Sequence, residues 1–378
     1  MVNPFRPSFG VTPPLLAGRD TEILAFGDAL DAGPGAPGRA TLYTGVRGIG
    51  KTVMLNEAEA QARQRGWVTV SETAVPGLVD RLTMHRLPEA AASLELSKTG
   101  RRVTAVAFPF QLGGITWQPP AVENRPDLRA QLTALSDHLT DHGTGLLLTV
   151  DELHHADRAG LRELAATIQH CFREERPIAI AGAGLPAAVA DLLNDDVLTF
   201  LRRADRYHLG AVDPADVADA LRTPIHATGH TITDSALDVA TAGTGGYPFL
   251  IQLVGFWTCK LADNNTASAD GSVIDYAAAA AGVQAARRRL GSLIHEPALR
   301  DLSHVDRTFL AAMAVDDGPS RMADIAARLT ADANYVSQYR LRLIAADMIH
   351  STGHGHVDYT LPYLRDYLRE HAASTGRL

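Results

Sequence analysis

The chain has 378 residues, 46% of them hydrophobic and 21% charged, with a formal net charge of −8 at pH 7. That size predicts two or three domains with ample core, and the balance excludes a disordered, collagen-like or disulfide-stapled chain and polyanion binding by bulk charge. No run approaches the roughly 18 apolar residues of a membrane span, residues 1–18 lack the pattern of a secretion signal, and two cysteines are too few for a disulfide framework, so a cytoplasmic protein with no membrane contact is expected.

In chain order, residues 14–30, PLLAGRDTEILAFGDAL, read as a turn followed by an amphipathic helix. A short apolar strand is expected over 40–43 and a helix over 53–63, with a strand over 67–70 after it. Residues 76–127 exceed what one crossover needs and are expected to hold a helix over 76–96 and a hairpin-like pair, 101–108 and 115–118. The recurrence of Leu128, Leu132, Leu135 and Leu139 predicts a helix over 128–139. Residues 146–150 form an unbroken apolar run, as in a strand buried on both faces of a parallel sheet. An amphipathic helix over 158–173 and another buried strand over 177–181 complete an α/β, doubly wound layout.

Two segments of this layout carry chemistry. Residues 41–52 read TLYTGVRGIGKT, in which Gly45, Gly50, Lys51 and Thr52 fit G-x-x-x-x-G-K-[ST] without a gap. Only three of the 35 basic residues are lysines, which makes the position of Lys51 informative. Gly-rich backbone over Gly45, Val46, Arg47, Gly48, Ile49 and Gly50 can turn successive N–H groups, and the start of the helix at Val53, toward a phosphate. Lys51 would neutralise β/γ-phosphate charge and the Thr52 hydroxyl would ligate Mg²⁺. About a hundred residues on, the apolar run ends in Asp151-Glu152. Side chains alternate along a strand, so the two carboxylates take different tasks: Asp151 at the metal, Glu152 polarising the attacking water. Together they point to a site that binds and hydrolyses ATP. His154 and His155 follow, but adjacent histidines are not expected to converge on one ion, and no Cys or His partner stands at ligand spacing.

With both motifs placed, the chain resembles the AAA+ ATPases, and most of all their origin-recognition/initiator branch and the related STAND regulators. The resemblance spans nearly the whole length. It implies ATP/ADP and Mg²⁺ as ligands and an adenine enclosed by Leu15, Leu16, Gly18 and Arg19. At the sensor 1 position, where relatives usually carry Asn, Thr or Ser, Ala183 and Gly184 stand instead. Residues 245–249, GGYPF, resemble the Gly-x-Pro motif of STAND proteins, which implies Pro248 rather than an arginine beside the nucleotide. This combination implies a slow, switch-like ATPase. Arg202, Arg203 or Arg206 stands where the family presents an arginine finger to a neighbouring subunit, which implies an ATP-dependent homo-oligomer.

Downstream, helices over 213–221, 234–241, 248–261 and 273–290 form a lid, with Asp213-Pro214 a good helix start. Arg287, Arg288 and Arg289 suit the C-terminus of the last helix, a structural role rather than a DNA contact. From 302, helices over 305–313, 322–329 and 333–346, then a hairpin of 348–350 with 357–361, make a winged helix-turn-helix. On its third helix Asn334, Tyr335, Ser337, Gln338, Arg340 and Arg342 are candidate contacts to duplex DNA. Residues 302–378 carry eight Arg against nine Asp plus Glu, so docking of a protein partner is the competing use. The expected division is 1–210 nucleotide core, 211–298 helical lid and 299–378 winged helix. The expected function is an ATP-driven switch acting on DNA or assembly, or else a non-catalytic ATP-bound scaffold.

Overall fold

The computed structural model describes residues 3–8, 10–98, 127–194, 201–264 and 273–375. Helix α1 (Asp20–Asp31) leads to strand β1 (Ala40–Thr44), helix α2 (Lys51–Gln64) and strand β2 (Val68–Thr73). A continuous helical stretch follows: α3 (Leu78–Arg81), a π turn (Leu82–Arg86) and α4 (Leu87–Lys98). After it come α5 (Leu128–Thr140), β3 (Leu146–Asp151), a 3₁₀ turn (Leu153–His155), α6 (Arg158–Arg173), β4 (Ile178–Gly184), α7 (Pro186–Leu193) and β5 (Asp205–His208). The pair expected over 101–108 and 115–118 lies outside the described residues.

The five strands pair in parallel in the order β2-β3-β4-β1-β5. Alternation along β3 builds two cores at once: Leu146, Leu148 and Val150 face α5 and α6, while Leu147 joins Met54, Leu55 and Ala58 of α2 on the other face. Each fully buried leucine contributes about 1.5–3 kcal/mol, which is why the unbroken apolar run sits at the centre of the sheet. Because β4 lies between β1 and β3, the loop after β1 and the acidic end of β3 flank one crevice at the C-terminal edge of the sheet.

Helices α8 (Pro214–Ala227), α9 (Asp234–Thr244), α10 (Pro248–Asn264), α11 (Tyr276–Leu290) and α12 (Glu296–Arg300) follow, with a short parallel pair, β6 (Thr231–Ile232) and β7 (Val273–Ile274). The expected start of the fourth helix at Val273 is corrected. Val273 and Ile274 are β-branched and pair with β6, while the Asp275 side chain accepts from Ala278 N at 2.9 Å and opens the helix at Tyr276. The apolar cluster on the α2 face continues without a break into Leu221, Leu237, Leu250, Val254 and Val283 of these helices.

The C-terminal unit comprises α13 (His304–Met313), β8 (Ser320–Arg321), α14 (Met322–Leu329), α15 (Ala333–Ala345), β9 (Ile349–Gly353), β10 (His356–Tyr359) and α16 (Leu364–Thr375). Its strands form an antiparallel sheet in the order β8-β10-β9; β8 adds a strand to the expected hairpin. Ser303 and Asp306 form a capping box at the start of α13. Phe309, Leu310, Met313, Ile325, Val336, Leu343 and Val357 fill a separate core. The unit is tied to the preceding helices by Tyr363, whose hydroxyl donates to Gly243 O at 3.0 Å and whose ring lies under Arg287 at 3.9 Å. His295 adds a third tie, its Nε2 donating to Pro362 O at 2.9 Å.

Candidate functional site

The loop between β1 and α2 is shaped to hold an anion. Gly45 adopts φ +156°, and a Cβ there would stand 2.7 Å from Ile49 Cγ2 and 2.8 Å from Leu209 O. A Cβ on Gly48 would stand 2.0 Å from the Tyr247 hydroxyl, which itself donates to Arg47 O. Side chains are thus excluded where backbone must wrap a phosphate. Lys51 is buried, and its Nζ donates to Gly45 O at 2.8 Å and Val46 O at 2.9 Å. Burial lowers its pKa, opposed by the carboxylates of Glu152, Asp347 and Asp151.

The acidic end of β3 meets this loop. Thr52 Oγ1 donates to Asp151 Oδ2 at 2.6 Å. A hydroxyl and a carboxylate with hard oxygen donors in contact fit Mg²⁺. Glu152 leaves the strand with φ +56°, which separates its side chain from that of Asp151 and starts the 3₁₀ turn. That turn corrects the expectation for the histidines: donor atoms of Glu152, His154 and His155 gather within 4.8 Å of one another. Burial first, then His155, Arg47 and Lys51, push the His154 pKa down to about 4, so its ring is neutral near pH 7, with Nδ1 3.3 Å from Glu152 Oε2.

These groups open onto a cavity of about 490 Å³. Arg47, Gly48, Ile49, Gly50, Lys51, Thr52, Val53 and Glu152 line it, as do Leu16, Arg19 and Pro248. Gly45 and Val46 instead supply the carbonyls that hold Lys51. Arg19 is buried and donates to Gly210 O at 2.5 Å, so its guanidinium ties the first segment to the chain just before α8. Two contributors carried no sequence signal of their own. Arg6, Ser8, Gly10, Val11 and Pro13 also line the cavity, with Asn3 Nδ2 donating to Phe256 O, Phe5 buried, and Asn56 Nδ2 donating to Gly10 O. Tyr247 lay inside the quoted GGYPF segment, next to the proline singled out there.

Outside the cavity, Arg202, Arg203 and Arg206 are exposed. Arg202 Nε donates to Leu193 O at 2.6 Å, and Arg203 lies near Arg39 and Ile178, by the N-terminal ends of β1 and β4. On α15, Asn334, Tyr335, Ser337 and Gln338 are exposed. Arg342 is engaged within the unit, 2.9 Å from the fully buried Asp306, so its charge is already compensated. Arg340 reaches Ser351 Oγ at 3.3 Å, and Tyr335 packs on Tyr339. No helix among the described residues is long and apolar enough to cross a membrane.

Residues 15–181 match the AAA ATPase domain family, and residues 292–368 match a domain of unknown function (DUF8462). No curated protein matches the chain. Among solved structures, a Walker-type ATPase of Pyrococcus abyssi is similar with a TM-score of 0.64 at 15% identity, over 94% of this chain and 96% of that one. The RuvB Holliday junction branch migration motor of Thermotoga maritima aligns with a TM-score of 0.47 at 16% identity, over 93% and 95% of the two chains. The ORC2 protein of Aeropyrum pernix, solved as ADPNP-ADP complexes, gives 0.47 at 15% identity over 97% and 98%.

Proposed function

We propose that the chain binds and hydrolyses ATP in the crevice between the sheet and helices α8–α11, and that nucleotide occupancy sets the position of the C-terminal unit; the match of residues 15–181 to the AAA ATPase domain family supports this. The observation that carries this reading is the junction of loop and strand: Thr52 bonded to Asp151, with Lys51 and Glu152 lining the same cavity.

Each residue has a distinct task. Amides of Gly48 to Thr52 and the first turn of α2 bind phosphate oxygens. The Lys51 ammonium exchanges its two loop carbonyls for β/γ oxygens, where charge develops in the transition state. Thr52 and Asp151 would hold a magnesium ion, which would supply charge neutralisation to the phosphates. Glu152 orients the attacking water and accepts its proton. Leu16, Arg19 and Pro248 enclose the base, and Arg6, Ser8 and Gly10 help shield the site from solvent.

Ala183 and Gly184 at the end of β4 offer no side-chain hydrogen bond to a γ-phosphate, which supports slow turnover. Arg202, Arg203 and Arg206, exposed and remote from their own chain's loop, suit donation across a subunit interface in an ATP-dependent homo-oligomer. The C-terminal unit reads as a winged helix that binds duplex DNA through Asn334, Tyr335, Ser337, Gln338 and Arg340. The compensated Arg342 favours a second reading, a docking surface for a protein partner. Glu152→Gln tests the catalytic claim: ATP should still bind while hydrolysis falls steeply, unchanged hydrolysis would remove Glu152 from the catalytic role, and no hydrolysis by the unaltered chain would reduce the site to a structural ligand pocket. A duplex DNA shift at 50 mM salt that Gln338→Ala with Arg340→Ala removes would favour the DNA reading, and no shift would favour the protein partner.

A further inference from the structure

One carboxylate on the phosphate loop comes from far away in the chain. Asp347 Oδ2 accepts from the backbone N–H of Arg47 at 3.3 Å, joining positions 300 residues apart. Asp347 stands immediately beyond α15, at the end of the helix that carries the candidate DNA contacts. Its N–H donates to Ile344 O and that of Met348 to Leu343 O, both at 3.0 Å, which closes the helix.

Local rules argue against an aspartate there. The position has φ +58°, a conformation best suited to Gly or Asn. A carboxylate at a helix C-terminus faces the negative end of the helix dipole. The side chain is also half-buried, and that burial raises its pKa against the pull of the Arg47 amide and the charges of Lys51, Arg47 and His350. Three unfavourable features at one residue indicate a requirement set outside the helix. What the phosphate loop offers in return is an amide donor and two cations, the same groups that hold a phosphate.

Resting on the ATP-site reading above, we infer that Asp347 is a built-in anion that caps the phosphate loop, so that the terminal phosphates of ATP and the docked C-terminal unit compete for it. Lys51 already faces three carboxylates, Asp151, Glu152 and Asp347. A triphosphate brought into the same space adds further negative charge, and the carboxylate that can leave is the one on the separately packed unit. Displacing Asp347 frees the end of α15 from the loop, while the Tyr363 and His295 contacts keep the unit tethered to the lid. By reciprocity, whatever holds the C-terminal unit away from the loop raises affinity for ATP by the same factor.

The test uses the full chain and a slowly hydrolysed ATP analogue with magnesium. Calorimetry should show binding roughly tenfold tighter in Asp347→Asn than in the unaltered chain, within the usual range of such couplings. Asp347→Gly, which also suits the left-handed backbone, should tighten binding at least as much, and thermal unfolding shows that either variant is folded. Small-angle scattering should show the unaltered chain expanding on saturation with the analogue and Asp347→Asn expanded beforehand. Affinities within twofold of one another, or a radius of gyration that does not change on saturation, would overturn the inference and leave the ATP site standing. Absence of binding by all three proteins would remove both.

Discussion

Thr52 and Asp151, ninety-nine positions apart, are joined by a 2.6 Å hydrogen bond between hydroxyl and carboxylate. The contact ties the first turn of α2 to the end of β3 across the intervening strand β4, and it places the two metal-ligating candidates together. Asp151→Asn preserves the shape but weakens the ion's seat. Magnesium affinity in the presence of nucleotide is expected to fall about 10–100-fold, as read by titrating magnesium against ATP hydrolysis. Equal magnesium dependence in both proteins would remove Asp151 from the metal site.

Glu152 lines the cavity beside Lys51, and its backbone N–H donates to Asp151 Oδ1 at 2.7 Å. Glu152→Gln is expected to lower the hydrolysis rate at saturating ATP by about 10²–10⁴-fold, the usual worth of a positioned general base. Single-turnover kinetics should locate the loss in the chemical step, with the dissociation constant for ATP within a few-fold of its starting value.

Gly48 approaches the Tyr247 hydroxyl so closely that a methyl group would stand 2.0 Å from it. Gly48→Ala is therefore expected to push the loop and the tyrosine apart and to weaken nucleotide binding at least tenfold. Pairing it with Tyr247→Ala, which removes the obstructing ring, should recover part of that loss. Fluorescent nucleotide titrations of the single and double variants measure the recovery, and a double variant no better than Gly48→Ala contradicts the steric account.

His295 is buried, its Nε2 donates to Pro362 O, and its Nδ1 has no partner. Burial, helped by His371 and opposed by the Pro362 hydrogen bond, pushes its pKa down from 6.5 to about 4. Above pH 6.5 the ring is neutral folded or unfolded, and stability does not depend on it. As pH falls from 6.5 to about 4, the unfolded chain takes up a proton that the folded chain refuses, so stability declines, by about 3 kcal/mol in total. Urea unfolding at several pH values should show this acid loss reduced in His295→Gln, whose amide can still donate to Pro362 O. Equal slopes would mean the ring is protonated in the folded protein.

What the sequence revealed was whatever lies close together along it. The Gly45–Thr52 loop and the carboxylates at the end of β3 are contiguous motifs beside apolar strands, and the structure brings them together at one crevice. The start of α11 was misplaced because Val273 and Ile274 fit a helix or a strand equally until β6 is there to pair with them. Asp347 and Tyr247 could not be read as site residues, since each acquires that role only through contact with a loop hundreds of positions away. Arg342 reads as exposed by helical periodicity, and nothing in that periodicity reveals the buried Asp306 beside it. The convergence of Glu152, His154 and His155 depends on one left-handed residue, which no local preference for glutamate foretells.

The apolar cluster that passes unbroken from α2 into the helices beyond β5 restricts how the molecule can move. Close-packed interiors do not stretch, so helices α8 to α11, sharing one interior with the sheet, would slide past it in small, discrete steps rather than swing open on a flexible joint. Large excursions are left to the segment with its own separate interior, beyond His295. Nucleotide chemistry would then reach the outside world as a shear of an ångström or two, amplified at the far side of that boundary.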